Sequence, residues 1–176
     1  MRLRTWALAA FGFGAAFAAD GAGGAAGKVQ APSFELRGSD GAIHRLSDHA
    51  GKRAVVLAWF PKAFTGGCTA ECKSLRESGA AIREFEVALY AASCDDAETN
   101  RKFAASLDLD YPILSDPGCA IARAYGVATE GSSYAQRVTF YIGPDGTILD
   151  VDRSVKASTA GNDIAERLTA LEVKRK

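Results

Sequence analysis

Val55, Val56, Leu57, Ala58, Trp59 and Phe60 are six apolar side chains in succession, ended by Pro61. A run this short, with β-branched and aromatic members and no polar face, suits a strand covered on both sides. Pro61 cannot donate to a strand ladder, so the strand stops there. The chain must therefore supply layers above and below one central strand.

The remaining pattern supplies them. Phe34 to Leu36 and Ile43 to Leu46 flank Gly38, Ser39, Asp40 and Gly41, which reads as a hairpin. Cys68, Cys72, Leu75, Gly79 and Ile82 are spaced four, three, four and three, which predicts a helix over 68–84. A strand over 87–93, a helix over 98–107, a strand over 111–114 and a short helix over 120–125 follow. Strands over 137–142 and 147–152 flank the turn Gly143, Pro144, Asp145, Gly146, and a helix over 162–171 closes the chain. This order implies an α/β domain with a mixed sheet and helices on both faces.

The first residues stand apart from that pattern. Arg2 and Arg4 precede an uncharged apolar stretch over 5–17, the length of a signal-peptide core and short for a membrane span. Ala16, Phe17 and Ala18 give a small-x-small site, so a signal peptide over 1–18 is expected to be cleaved after Ala18. An uncleaved anchor is the alternative. Residues 19–30 are rich in Gly and Ala and read as a flexible leader. One domain is expected over 31–176, with no stable membrane insertion. The whole chain carries 21 basic and 21 acidic residues. That balance argues against nucleic-acid binding. Export would place the four cysteines where thiols can be oxidised.

Chemistry concentrates after the central strand. Gly66 and Gly67 allow close backbone approach, and Cys68 falls at the first turn of the following helix. Unpaired N–H groups at a helix start stabilise a thiolate. Thr65, three residues earlier, can turn its hydroxyl toward the sulfur. Glu71, three residues later, can satisfy first-turn N–H groups or orient a basic residue. The pattern is that of an activated nucleophilic cysteine rather than a buried structural thiol.

Pro61, Thr65 and Cys68 match the signature of the peroxiredoxins, which this sequence resembles over most of 31–176. Glu71 matches an acid often found in that family. Leu114, Ser115, Asp116, then Tyr125, Gly126, Val127, and Arg137 to Ile142 followed by Asp145 and Gly146 are similar landmarks. The nearest likeness is to the peroxiredoxin Q, or bacterioferritin-comigratory, type of AhpC/TSA protein. The resemblance implies a thioredoxin-like fold and a peroxidase acting on hydrogen peroxide and small organic hydroperoxides. It also implies recycling by a thioredoxin-like or other thiol donor, and no metal, haem or flavin. Cys68 would be the peroxidatic nucleophile, and Thr65 would hydrogen-bond thiolate and peroxide. Pro61 would shield the sulfur, and Arg137 would stabilise the thiolate and polarise the O–O bond. The chain would be a monomer or homodimer.

The resolving thiol departs from the family pattern. Position 73, where a resolving cysteine often stands, is Lys73, while Cys72 is four residues after Cys68. Four residues along a helix lie at the upper limit of disulfide reach, so a Cys72 role needs the helix start to unwind. Cys72 is otherwise a core thiol. Cys94 and Cys119 form a disulfide with each other, or one resolves, or neither does; the residues leave this open. A further alternative is a Sco-like copper protein using Cys68 and Cys72, but His44 and His49 both precede the pair, where such a site needs a downstream histidine. A thiol–disulfide oxidoreductase would need two cysteines two residues apart, and no such pair exists. A non-catalytic thioredoxin-like module would not need Thr65, Cys68 and Arg137 together.

Overall fold

The computed structural model describes residues 29–176. The expected signal peptide over 1–18, and the leader up to residue 28, lie outside the described residues. No helix among the described residues is long and apolar enough to cross a membrane.

The expected central strand is β3 (Ala54–Trp59), with all six residues buried. It lies between β4 (Val87–Ser93), parallel to it, and β6 (Val138–Ile142), antiparallel. Alternation sorts its side chains. Val56, Ala58 and the following Phe60 enter one apolar cluster, and Val55, Leu57 and Trp59 enter another. This is why the run carries no polar residue.

The hairpin is β1 (Glu35–Gly38) and β2 (Ile43–Arg45), paired Leu36 to His44. Gly41 at its turn has φ 84°, which only glycine adopts without strain. With β5 (Ile113–Ser115) and β7 (Ile148–Asp152), the sheet has seven strands in the order β2-β1-β5-β4-β3-β6-β7. The sheet is mixed, as its sequence order implies.

The first cluster is closed by α1 (Gly66–Glu77), α2 (Gly79–Ile82), α3 (Ala97–Ser106) and α5 (Ala160–Ala170), through Leu75, Ile82, Phe103, Ile164 and Leu168. Burying each such side chain stabilises the fold by about 1.5–3 kcal/mol. The second is closed by α4 (Ala120–Ala124) and the segment after it, through Ala122, Tyr125, Val127 and Ala135.

The helix expected over 68–84 is two helices. Ser78 and Gly79 form a weak point of the kind that breaks helices. The Ser78 hydroxyl donates to Asn162 Oδ1 at 2.8 Å. Gly161 packs so closely on α1 that an added Cβ would lie 2.1 Å from the Ser74 carbonyl oxygen. Its N–H donates to Ser74 Oγ at 3.0 Å. These contacts with α5 fix where α1 ends, and thereby how α1 lies across the sheet.

Candidate active site

Cys68 is the third residue of α1, which starts seven residues after β3 ends. Thr65 is the N-cap, in extended conformation, and its carbonyl accepts the Thr69 N–H at 2.9 Å. The sulfur therefore lies within the first turn, among backbone N–H groups that have no helical acceptor. The residue is 1% exposed.

Arg137 reaches the sulfur from the other strand neighbour. Trp59 pairs with Val138, so one further step of that register sets Arg137 beside the end of β3. Its Nη2 lies 3.4 Å from Cys68 Sγ. Its Nη1 is bound by the Glu71 carboxylate. Glu71 is 1% exposed, and among the described residues its second carboxylate oxygen has no hydrogen-bond partner. Of its two expected roles, first-turn acceptor or holder of a base, Glu71 takes the second.

Gly67 makes room for this arrangement. An added Cβ there would lie 3.1 Å from Arg137 Nη2, whereas one on Gly66 would meet nothing within 4 Å. Neither glycine has positive φ. The left-handed residue of the loop is Phe64, with φ 60°. Nothing in the sequence signals that. The residue is 58% exposed, and its ring packs on Phe103, centroids 5.0 Å apart.

Thr65 is not on the sulfur. Its hydroxyl donates to the Lys62 carbonyl at 2.9 Å. Among the described residues, the hydrogen bond to Cys68 Sγ comes from Arg137. Pro61 is half-buried at the end of β3, at the edge where the sulfur sits.

A cysteine at a helix start, a guanidinium on its sulfur and a buried carboxylate behind that guanidinium form one unit, and residues 28–151 match the model of the AhpC/TSA family. The chain belongs to the AhpC/TSA family. Peroxiredoxin Bcp of Bacillus subtilis is 32% identical over 149 residues, 81% of this chain and 92% of that protein. Alkyl hydroperoxide reductase E of Mycobacterium tuberculosis is 34% identical over 120 residues, 67% of this chain and 78% of that protein. The crystal structure of peroxidoxin BcpB from Mycobacterium tuberculosis superposes with TM-score 0.72 at 32% identity, covering 82% of this chain and 95% of that one. The protein is a peroxiredoxin with the thioredoxin-like fold, a thiol-dependent peroxidase and an oxidoreductase.

The cysteines divide by sheet face. Cys94 and Cys119 are joined in a disulfide within the second cluster. The parallel pairing of β4 and β5 brings them together, with Cα atoms 5.1 Å apart. Cys68 and Cys72 are free thiols in the first cluster. The two pairs therefore lie on opposite faces of the sheet. Cys72 is fully buried, and burial pushes its thiol up to about 12. The copper alternative finds no support. His44 and His49 both face the Tyr90 hydroxyl, which belongs to the second cluster.

Proposed function

We propose that Cys68 is the peroxidatic nucleophile of this peroxiredoxin, with Arg137 as its electrostatic partner and Glu71 as the holder of that arginine. The observation that carries this reading is the guanidinium, which has one nitrogen on the sulfur and the other on a buried carboxylate. The thiolate attacks one peroxide oxygen and the O–O bond breaks. The departing alkoxide or hydroxide takes a proton and leaves as alcohol or water, and the sulfur becomes a sulfenic acid. Negative charge moves from sulfur to the departing oxygen. A fixed cation beside both stabilises the transition state without reorganising. Pro61 covers the sulfur edge. Thr65 serves as peroxide donor only when its hydroxyl leaves the Lys62 carbonyl.

Cys72 is the proposed resolver. With Cys94 and Cys119 paired, it is the other free thiol of the chain. Its attack on the sulfenic acid releases water and forms Cys68–Cys72. A buried thiol four residues away on one helix reaches that geometry only if the start of α1 unwinds, which also exposes it and lets its thiol fall back toward the ordinary value of 9.0. A thioredoxin-like or other dithiol then reduces the disulfide. The protein works as a monomer or homodimer, exported after cleavage behind Ala18. The Cys94–Cys119 disulfide supports that location, since such bonds persist outside the reducing cytosol. Sequencing of secreted or periplasmic protein is expected to start at Ala19; protein retained in the cytosol with Met1 intact would refute it. The test of the chemical assignment is single-turnover oxidation by peroxide, comparing wild type with Cys68→Ser.

A further inference from the structure

The loop over 61–65 sets where α1 begins, and hence where the sulfur lies against Arg137. One side chain from outside the loop grips its backbone. Asp95, in the connection between β4 and α3, accepts the Ala63 N–H on Oδ2 at 2.8 Å. Ala63 is 6% exposed, so that N–H has little access to solvent.

Asp95 is itself held on both sides. Its neighbour Cys94 is tied to Cys119 by the disulfide. Its neighbour Asp96 caps α3, accepting the Thr99 N–H on its side chain at 2.7 Å. Its own N–H donates to Ser93 Oγ at 3.3 Å. Ser93 belongs to a buried network in which Asn100 Nδ2 donates to Ser93 Oγ at 3.0 Å and to Ser115 Oγ at 2.9 Å. This rigid corner spans both sheet faces: the disulfide lies in the second cluster and Ala63 in the first.

From this geometry we infer that Asp95 is a positioning residue for peroxide reduction, and that the Cys94–Cys119 disulfide is the clamp that holds it. The inference rests on the peroxidase reading of Cys68. Asp95 touches neither sulfur nor peroxide. It acts through the Ala63 N–H, fixing the loop and so the separation between Cys68 and Arg137. Misplacement of a reacting group by about 1 Å costs on the order of 100-fold in rate.

The whole protein tests this in four forms: wild type, Asp95→Ala and Asp95→Asn, each with the Cys94–Cys119 disulfide intact, and Cys94→Ala with Cys119→Ala, which lacks it. Two quantities are read, the single-turnover rate of Cys68 oxidation by hydrogen peroxide and the hydrogen exchange of the Ala63 amide. Asp95→Ala is expected to slow oxidation at least about 10-fold and to speed Ala63 exchange by a similar factor. Asp95→Asn keeps an oxygen acceptor and is expected to stay within about 3-fold of wild type in both, a rescue that loss of a merely structural charge would not show. The double cysteine variant is expected to move both quantities in the same direction, less far. An unchanged rate in Asp95→Ala, or equal loss in Asp95→Asn, overturns the positioning role. Unchanged Ala63 exchange in the double variant overturns the clamp. Wild type inert to peroxide overturns the peroxidase reading and this proposal with it, whereas active wild type with an unaffected Asp95→Ala overturns this proposal alone.

Discussion

Arg137 Nη2 lies 3.4 Å from the Cys68 sulfur across 69 residues of chain. The antiparallel register of β3 and β6 closes that distance, because it sets Arg137 beside the strand from which the cysteine loop departs. Most of the chemistry follows from this contact and from what holds it.

Removing the guanidinium removes the cation from the transition state. Arg137→Ala is expected to slow peroxide attack by roughly 100-fold or more, the usual scale for losing a preorganised donor. Arg137→Lys keeps the charge but cannot hold sulfur and carboxylate with one planar fork, and should fall between. Glu71→Gln leaves the guanidinium in place without its anchor and should lose on the order of 10-fold. Stopped-flow rates with hydrogen peroxide check all three. Equal rates in Arg137→Ala and wild type would remove Arg137 from the mechanism.

The two glycines at the start of α1 separate packing from function. Gly67→Ala puts a methyl 3.1 Å from Arg137 Nη2, so it should displace the guanidinium and slow peroxide attack. Gly66→Ala meets nothing within 4 Å and should keep the wild-type rate while stabilising the helix by up to about 1 kcal/mol. Matching activity in both variants would contradict the close approach of Arg137.

Cys72 makes stability depend on alkaline pH. The folded state holds its thiol protonated up to about 12, while the unfolded chain ionises near the ordinary value of 9.0. A raised folded value stabilises fully below the unfolded one and is lost as pH rises from 9.0 toward about 12. Within that window the wild type should lose up to about 1.4 kcal/mol more per pH unit than Cys72→Ala. Urea unfolding of both at pH 8 and pH 10.5 measures this. Parallel losses would mean that the thiol is not held protonated by burial.

The resolver leaves a covalent record. Peptide mapping after one equivalent of peroxide is expected to show a Cys68–Cys72 disulfide beside an intact Cys94–Cys119. Hydrogen exchange over 66–75 should quicken in the oxidised form, and Cys72→Ser should over-oxidise sooner. Free sulfenic acid in the wild type, with no second disulfide, would return Cys72 to the core.

The fold was legible because burial on both sides leaves a direct trace. Only apolar residues serve β3, and the alternation of elements around it dictates a covered mixed sheet. Pro61, Thr65 and Cys68 were legible because they are close together in sequence. The break at Ser78 left a mark only in the Ser78–Gly79 pair; the apolar period runs through it, and contact with Gly161 and Asn162 decides it. Phe64 carries no mark of its left-handed backbone, because that conformation is imposed by the loop and not by residue type. The two faces occupied by the cysteine pairs could not be read either. Edge positions follow from strand order, but faces depend on how the chain turns after each strand.

Labelling of sulfenic acid under single turnover tests Cys68 most directly. Protein with Cys68 and Cys72 as free thiols and Cys94–Cys119 intact is mixed with one equivalent of hydrogen peroxide in the presence of a sulfenic-acid probe, then digested and mapped. Label should appear first at Cys68 and vanish in Cys68→Ser together with peroxide consumption, while Cys94→Ser keeps both at the reduced rate expected without the Cys94–Cys119 disulfide. Peroxide consumption that survives in folded Cys68→Ser, or label arising first at another cysteine, would contradict the assignment of Cys68 as the peroxidatic nucleophile.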